Sequence, residues 1–168
     1  MSDRAKRVFI ALTITVPFLI YSVYYYGMMI GNAPYKFSEF KSIEFRYGTG
    51  DTLLNQYSSI TGEYQFLNKH NSFIRTKVFL NNDELLYLHR KAAELGFWNF
   101  PANEKGDTAA VHGHQVPRYF IQFNYKRKSK TVQYMPTYDA DPKLKEANGQ
   151  LIKEIQKVLD EAQAREGK

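Results

Sequence analysis

The stretch Val8 to Ile30, VFIALTITVPFLIYSVYYYGMMI, contains no charged residue and governs how the rest of the chain is interpreted. As an α-helix it would be about 35 Å long, which is enough to cross a hydrocarbon layer of about 30 Å with some tilt. The tyrosines between Tyr21 and Tyr26 suit the boundary between lipid and water, because each ring is apolar and each hydroxyl can be hydrated. We therefore expect a transmembrane helix over residues 8–30, with the lipid bilayer as its partner.

The charges beside this stretch predict its orientation. Arg4, Lys6 and Arg7 precede it directly, and basic residues at one end of a span remain on the cytoplasmic side. The sequence thus predicts a cytoplasmic tail over 1–7, a single-pass signal anchor and a domain outside the cytoplasm. The alternative is a signal peptide cleaved at residues 31–33. We favour the anchor because the apolar run is longer than the 7–15 residues of a signal peptide and ends in bulky residues.

Composition limits what the remaining residues can form. The chain has 168 residues, no cysteine and a net charge of +6. Residues 31–35 are interpreted as a linker, and residues 36–168 have the size of one domain with its own core. The lack of cysteine excludes disulfides, thiolate nucleophiles and cysteine metal sites. The positive charge is mild, so we expect no nucleic-acid partner.

Alternating apolar and polar residues predict the strands of this domain. The pattern places Ile74, Thr76, Val78 and Leu80 on one face of a strand, and the segment 52–60 is ambiguous. The last two strands are predicted to form a β-hairpin. The predicted strands are KSIEFRY at 41–47, GEYQFL at 62–67, FIRTKVFL at 73–80, RYFIQFNY at 118–125 and TVQYM at 131–135.

Two amphipathic helices complete the predicted domain. Asn81 and Glu84 have the spacing of a reciprocal N-terminal cap for a helix over 81–95, and Gly96 is suited to end it. Asp141 can cap the second helix, in which the Asn148-Gly149 pair is a weak point. We expect an α+β fold: an N-terminal transmembrane helix, followed by one small domain with an antiparallel sheet of four to five strands and two amphipathic helices on one face.

The segment from Pro101 to Pro117 is polar and has no periodic pattern, and loops of this length are usually functional or disordered. His112 and His114 would face the same way on an extended segment, so both imidazoles could bind one metal ion. The alternative is a solvated loop without a metal, and the sequence predicts no other cofactor. The predicted binding loop comprises Glu104, Asp107, His112, His114 and Gln115.

The basic turn from Lys126 to Lys130 could contact anionic lipid headgroups, or it could be a solvated turn that discourages pairing between strand edges. His89 is interpreted as a core histidine bonded to a backbone group. If the long loop is only a connection, the alternative binding surface is the outer sheet face. That face carries Glu44, Arg46, Gln122 and Asn124.

No nucleophile motif, zinc-protease motif or phosphate-binding loop occurs in the sequence. The sequence therefore favours a membrane-anchored, extracytoplasmic binding or interaction module without enzymatic activity. Another protein of the cell envelope is its candidate partner. The alternative is a metal-dependent hydrolase that uses His112 and His114.

Overall fold

The computed structural model describes residues 3–32, 35–49, 52–68, 70–104, 116–139 and 141–166. The chain forms two compact units, Met1–Pro34 and Tyr35–Lys168. The first unit contains helix α1, Asp3–Asn32, which extends beyond the apolar stretch at both ends and includes Pro17. Among the described residues, α1 is the one helix that is long and apolar enough to cross a membrane. The predicted N-terminal apolar helix is thus confirmed.

The second unit is built on a sheet in which the described residues form seven strands. Its strands are β1 Phe40–Thr49, β2 Asn55–Ser58, β3 Glu63–Leu67, β4 Phe73–Lys77, β5 Asn103–Glu104, β6 Pro117–Tyr125 and β7 Ser129–Tyr134. Their order across the sheet is β4-β3-β2-β1-β6-β7-β5. Adjacent strands are antiparallel except β5 and β7, which are parallel. The helices of this unit are α2 Asn82–Glu94, α3 Pro142–Glu166 and the short 3₁₀ helices Phe37–Glu39 and Phe97–Asn99.

The mixed α+β fold is confirmed, but the expected four to five strands and two helices are too few. Strand β2 lies in the ambiguous segment 52–60, and β5 is too short for an alternating pattern to show. Both are defined by hydrogen bonding to neighbouring strands rather than by side-chain periodicity. The 3₁₀ helices escape prediction for a similar reason, since a single turn has no period.

The core forms between one face of the sheet and the apolar stripes of α2 and α3. Leu88, Val78, Phe123 and Ile155 each expose no more than 1% of their surface and belong to one cluster, as their central positions in the apolar stripes predict. Helix α2 begins with the predicted reciprocal cap. Gly96 follows α2 with a φ of 76°, which is the left-handed conformation expected after a helix end.

Tyr35 belongs to the domain rather than to a linker. It is 6% exposed, and its ring stacks on Trp98 with the two ring centroids 4.8 Å apart. The Tyr125 ring meets the Tyr35 ring edge-on, and the two ring centroids are 5.3 Å apart. The segment predicted as a linker, 31–35, therefore overlaps α1 at its beginning and the aromatic core at its end.

Candidate functional site

The predicted binding loop lies mostly outside the described residues. Asp107, His112, His114 and Gln115 all fall there, so the metal site and the hydrolase hypothesis remain predictions. Glu104 is the one member that the structure places, and it forms the end of β5 beside Tyr134 of β7. Its exposed fraction is 0%, whereas a solvated loop residue would be exposed. The backbone pairing of β5 with β7 carries the side chain into the core.

Glu104 is paired with Asn148 of α3. Asn148 is also fully buried, and its Nδ2 donates to the Glu104 Oε2 over 2.6 Å and to the Leu144 carbonyl over 3.0 Å. Burial raises the pKa of Glu104 to about 7, although the hydrogen bond from Asn148 and the positive charge of Lys130 act in the opposite direction. Lys130 itself donates to the carbonyl of Phe100.

Two oxygen atoms of this pair accept no hydrogen bond from the described residues. They are Oε1 of Glu104 and Oδ1 of Asn148. A protonated carboxyl group can donate as well as accept, so a proton on Oε1 of Glu104 would turn one of these unpaired acceptors into a donor. The pair is therefore suited to hold a proton in the core. In the described part of the chain, no three histidine or acidic residues form a metal-binding group.

The other face of the sheet presents the polar residues that alternate with the core residues. Ile43, Phe45, Tyr57 and Tyr64 are buried on the helix side. The residues between them are exposed or half-buried and line a shallow groove over strands β1 to β4. The residues that line it include Glu44, Arg46, Gln56, Gln65, Arg75 and Lys77.

Most charges on this outer face have a partner. Arg46 donates to Glu44 over 2.7 Å, and its guanidinium carbon lies 5.0 Å from the centroid of the Phe120 ring. Arg75 Nε donates to the Gln65 side-chain oxygen over 2.9 Å. These contacts tie the charged side chains to their neighbours on the same face of the sheet.

Strand β4 forms one edge of the sheet and pairs only with β3 among the described strands. The Val78 N–H donates to the Gly62 carbonyl over 2.7 Å, and the Asn68 N–H donates to the Ser72 carbonyl over 3.0 Å. In an antiparallel ladder, alternate residues direct their backbone groups toward the same neighbour. The N–H and C=O groups of Phe73, Arg75 and Lys77 therefore point away from β3, toward the open edge.

This edge also exposes apolar side chains. Phe73 is 54% exposed and Ile74 is 38% exposed, whereas Val78, which shares the face of Ile74, is fully buried. Among the described residues β4 is the last strand on this side of the sheet, so no neighbouring strand covers these two side chains. Sequence reasoning could not find this site, since a strand at an edge and a strand inside a sheet can share one alternating pattern.

His89 takes no part in either candidate site. Its Nδ1 is 2.8 Å from the hydroxyl oxygen of Tyr125, so its partner is a side chain and not the expected backbone group. Burial lowers the pKa of His89, which favours the neutral imidazole. The residue is thus a structural member of the aromatic core.

No model of a known protein family matches the chain, and no curated protein matches its sequence. Its function therefore has to be argued from these surfaces.

Proposed function

We propose that this chain is a membrane-anchored interaction module that binds an extended, acidic segment of a second envelope protein along strand β4. In this proposal α1 is an uncleaved, single-pass signal anchor, the N-terminus is cytoplasmic and the domain lies outside the cytoplasm. The observation that carries the proposal is the open edge of β4, where no strand of the described residues lies beside the backbone groups of Phe73, Arg75 and Lys77.

Strand addition supplies the affinity in this mode of recognition. An extended peptide beside β4 would form hydrogen bonds with the backbone N–H and C=O groups that do not face β3. Pockets for alternate side chains of the peptide would add specificity. Phe73 and Ile74 are the exposed apolar residues available for such contacts, one on each face of the strand.

The charges of β4 favour a different protein over a second copy of this chain. Arg75 and Lys77 are both exposed on the outer face. Two copies paired edge to edge would bring these cations close together, and like charges opposite each other destabilise a sheet. The same cations attract a strand whose outer residues are acidic. We therefore expect alternating acidic and apolar residues in the partner segment.

The test uses two fluorescent peptide probes and the full-length chain in detergent micelles. One eight-residue probe alternates glutamate with valine, and the other alternates lysine with valine. We expect binding of the glutamate probe only, and weaker binding as salt is raised, because screening reduces the attraction of exposed charges. Equal binding of both probes would contradict the charge argument.

A pair of variants separates the backbone contribution from the charge. Arg75→Ala removes the cation and keeps the outward N–H, whereas Arg75→Pro removes both without affecting a hydrogen bond to β3. If strand addition occurs, Arg75→Pro should weaken binding of the glutamate probe at least about fivefold beyond the effect of Arg75→Ala, since one hydrogen bond contributes about 1 kcal/mol. Equal affinities of the two folded variants would overturn the proposal.

A further inference from the structure

We propose that the tip of the β6–β7 hairpin, Lys126 to Lys128, binds the phosphate groups of anionic phospholipids in the bilayer that α1 spans. This inference rests on the membrane anchoring in the proposed function, but not on strand addition at β4. It assigns a second, lipid-facing surface to the domain. This surface joins β6 and β7, which are separated from the open edge strand β4 by β3, β2 and β1.

The hairpin tip packs against the segment by which the chain enters the domain. The Lys126 N–H donates to the Glu39 carbonyl over 2.8 Å, and Arg127 Nε donates to the Glu39 carboxylate over 2.7 Å. The Lys128 ammonium lies 5.1 Å from the centroid of the Tyr35 ring. Three successive residues of the tip thus contact the segment 35–39.

Chain connectivity alone places this segment near the end of the proposed span. Helix α1 ends at Asn32, and Tyr35 follows three positions later. Three residues reach at most about 11 Å even when fully extended. If α1 crosses the bilayer, Tyr35 and the hairpin tip that touches it therefore lie within reach of the headgroup layer.

The charge at this end of the domain suits an anionic surface. The segments 36–41 and 126–128 together contain five basic residues and one acidic residue. That acidic residue, Glu39, is already engaged by Arg127, whose hydrogen bond lowers the pKa of the Glu39 carboxyl. The basic residues are exposed: they are Lys36, Lys41, Lys126, Arg127 and Lys128. Basic residues held this close to a membrane surface are attracted to it wherever its lipids are anionic, and the attraction falls off within a Debye length.

The single tryptophan of the chain provides a direct probe. Trp98 stacks on Tyr35, so its distance from the bilayer reports how closely this end of the domain approaches the headgroups. The full-length chain is placed in nanodiscs of phosphatidylcholine, with or without about one quarter phosphatidylglycerol, and a spin label on the lipid headgroup quenches Trp98. We expect stronger quenching in the anionic discs, and loss of the difference at about 1 M salt, where the Debye length is about 3 Å.

Charge reversal at the tip should abolish the effect of anionic lipid. The double variant Lys126→Glu and Lys128→Glu should reduce the ratio of docked to undocked domain at least about tenfold, because each basic residue near an anionic surface contributes roughly fivefold. The matched control reverses Lys153 and Lys157, which lie on the exposed side of α3 and give the same change in net charge. If the charge-reversed variant does not fold, the milder double variant Lys126→Gln and Lys128→Gln is used instead. It should show a smaller decrease in the ratio of docked to undocked domain.

Three outcomes would overturn the inference. They are equal quenching in neutral and anionic discs, insensitivity of the difference to salt, and the same loss in the α3 control as in the tip variant. Failure of the anchoring is recognised separately, because the chain would then not co-elute with the discs.

Discussion

The buried carboxyl of Glu104 is the most unusual single residue of the domain. A charged carboxylate in a core is costly unless it is paired, and here its partner is the neutral amide of Asn148. The protonated form avoids that cost, which explains why burial raises the pKa of Glu104 to about 7. Protonation at this one residue therefore couples to the stability of the whole domain.

The stability of the domain should fall as this proton is lost. Glu104 has an ordinary pKa of 4.5 in an unfolded chain and a pKa of about 7 in the folded protein. The folded state then binds more protons between these values, so the free energy of unfolding should decrease as pH rises from about 4.5 to 7, by up to about 3 kcal/mol. Glu104→Gln keeps the hydrogen-bonding shape without titrating, so it should remove this slope and be the more stable protein at pH 8.

Urea unfolding of the full chain in micelles between pH 5 and 8 measures this difference. Subtracting the two curves removes the contributions of other groups, such as His89, whose pKa is lowered by burial. Glu63→Gln makes the same chemical change at an exposed position of β3 and is the matched control. A wild-type curve parallel to that of Glu104→Gln would show that Glu104 is ionised in the core.

At the scale of the elements, helix α3 continues through the Asn148-Gly149 pair, where the local sequence disfavours a helix. Gly149 lies in the helix interior, yet Asn148 beside it is held by Glu104 of β5 and by the Leu144 carbonyl. Tertiary contacts thus stabilise a turn that the local sequence disfavours. A methyl group on Gly149 would meet nothing within 4 Å.

Alanine substitution should therefore have opposite effects at two glycines. Gly149→Ala should stabilise the domain by about 0.5–1 kcal/mol, because glycine costs more backbone entropy than alanine in a helix. Gly96→Ala should destabilise it by about 1 kcal/mol, because Gly96 has a φ of 76°, which alanine adopts at a cost. Midpoints of chemical unfolding decide the result, and a loss of stability in Gly149→Ala would indicate that α3 is not helical there.

At the scale of the whole molecule, the proposed topology depends on charges at one end of α1. A reporter fused after Lys168 should be active outside the cytoplasm, and the chain should remain in the membrane pellet after carbonate washing. Replacing Arg4, Lys6 and Arg7 with glutamine should yield mixed orientations, because these residues supply the basic bias before the span. Recovery of a soluble form at the mass of residues 34–168 would instead support cleavage of a signal peptide.

The local sequence alone determined the apolar helix α1, the β6–β7 hairpin, the cap of α2 and the buried stripes of α2 and α3. Each of these features depends on residues within a few positions of one another, so periodicity and capping chemistry are sufficient to predict them. The histidine site is different. His112 and His114 lie outside the described residues, and the sequence is so far the only basis for that prediction.

Only the tertiary structure decided where Glu104, Ile74 and Lys128 lie. Glu104 is buried because β5 pairs with β7 and because Asn148, which is 44 positions away, donates to it. Ile74 is exposed because β4 is the last strand of the sheet, and Lys128 reaches Tyr35 because Phe40 of β1 is paired with Tyr125 of β6. These contacts join residues far apart in sequence, so they depend on strand order and on the position of an edge, which no local pattern of apolar residues encodes.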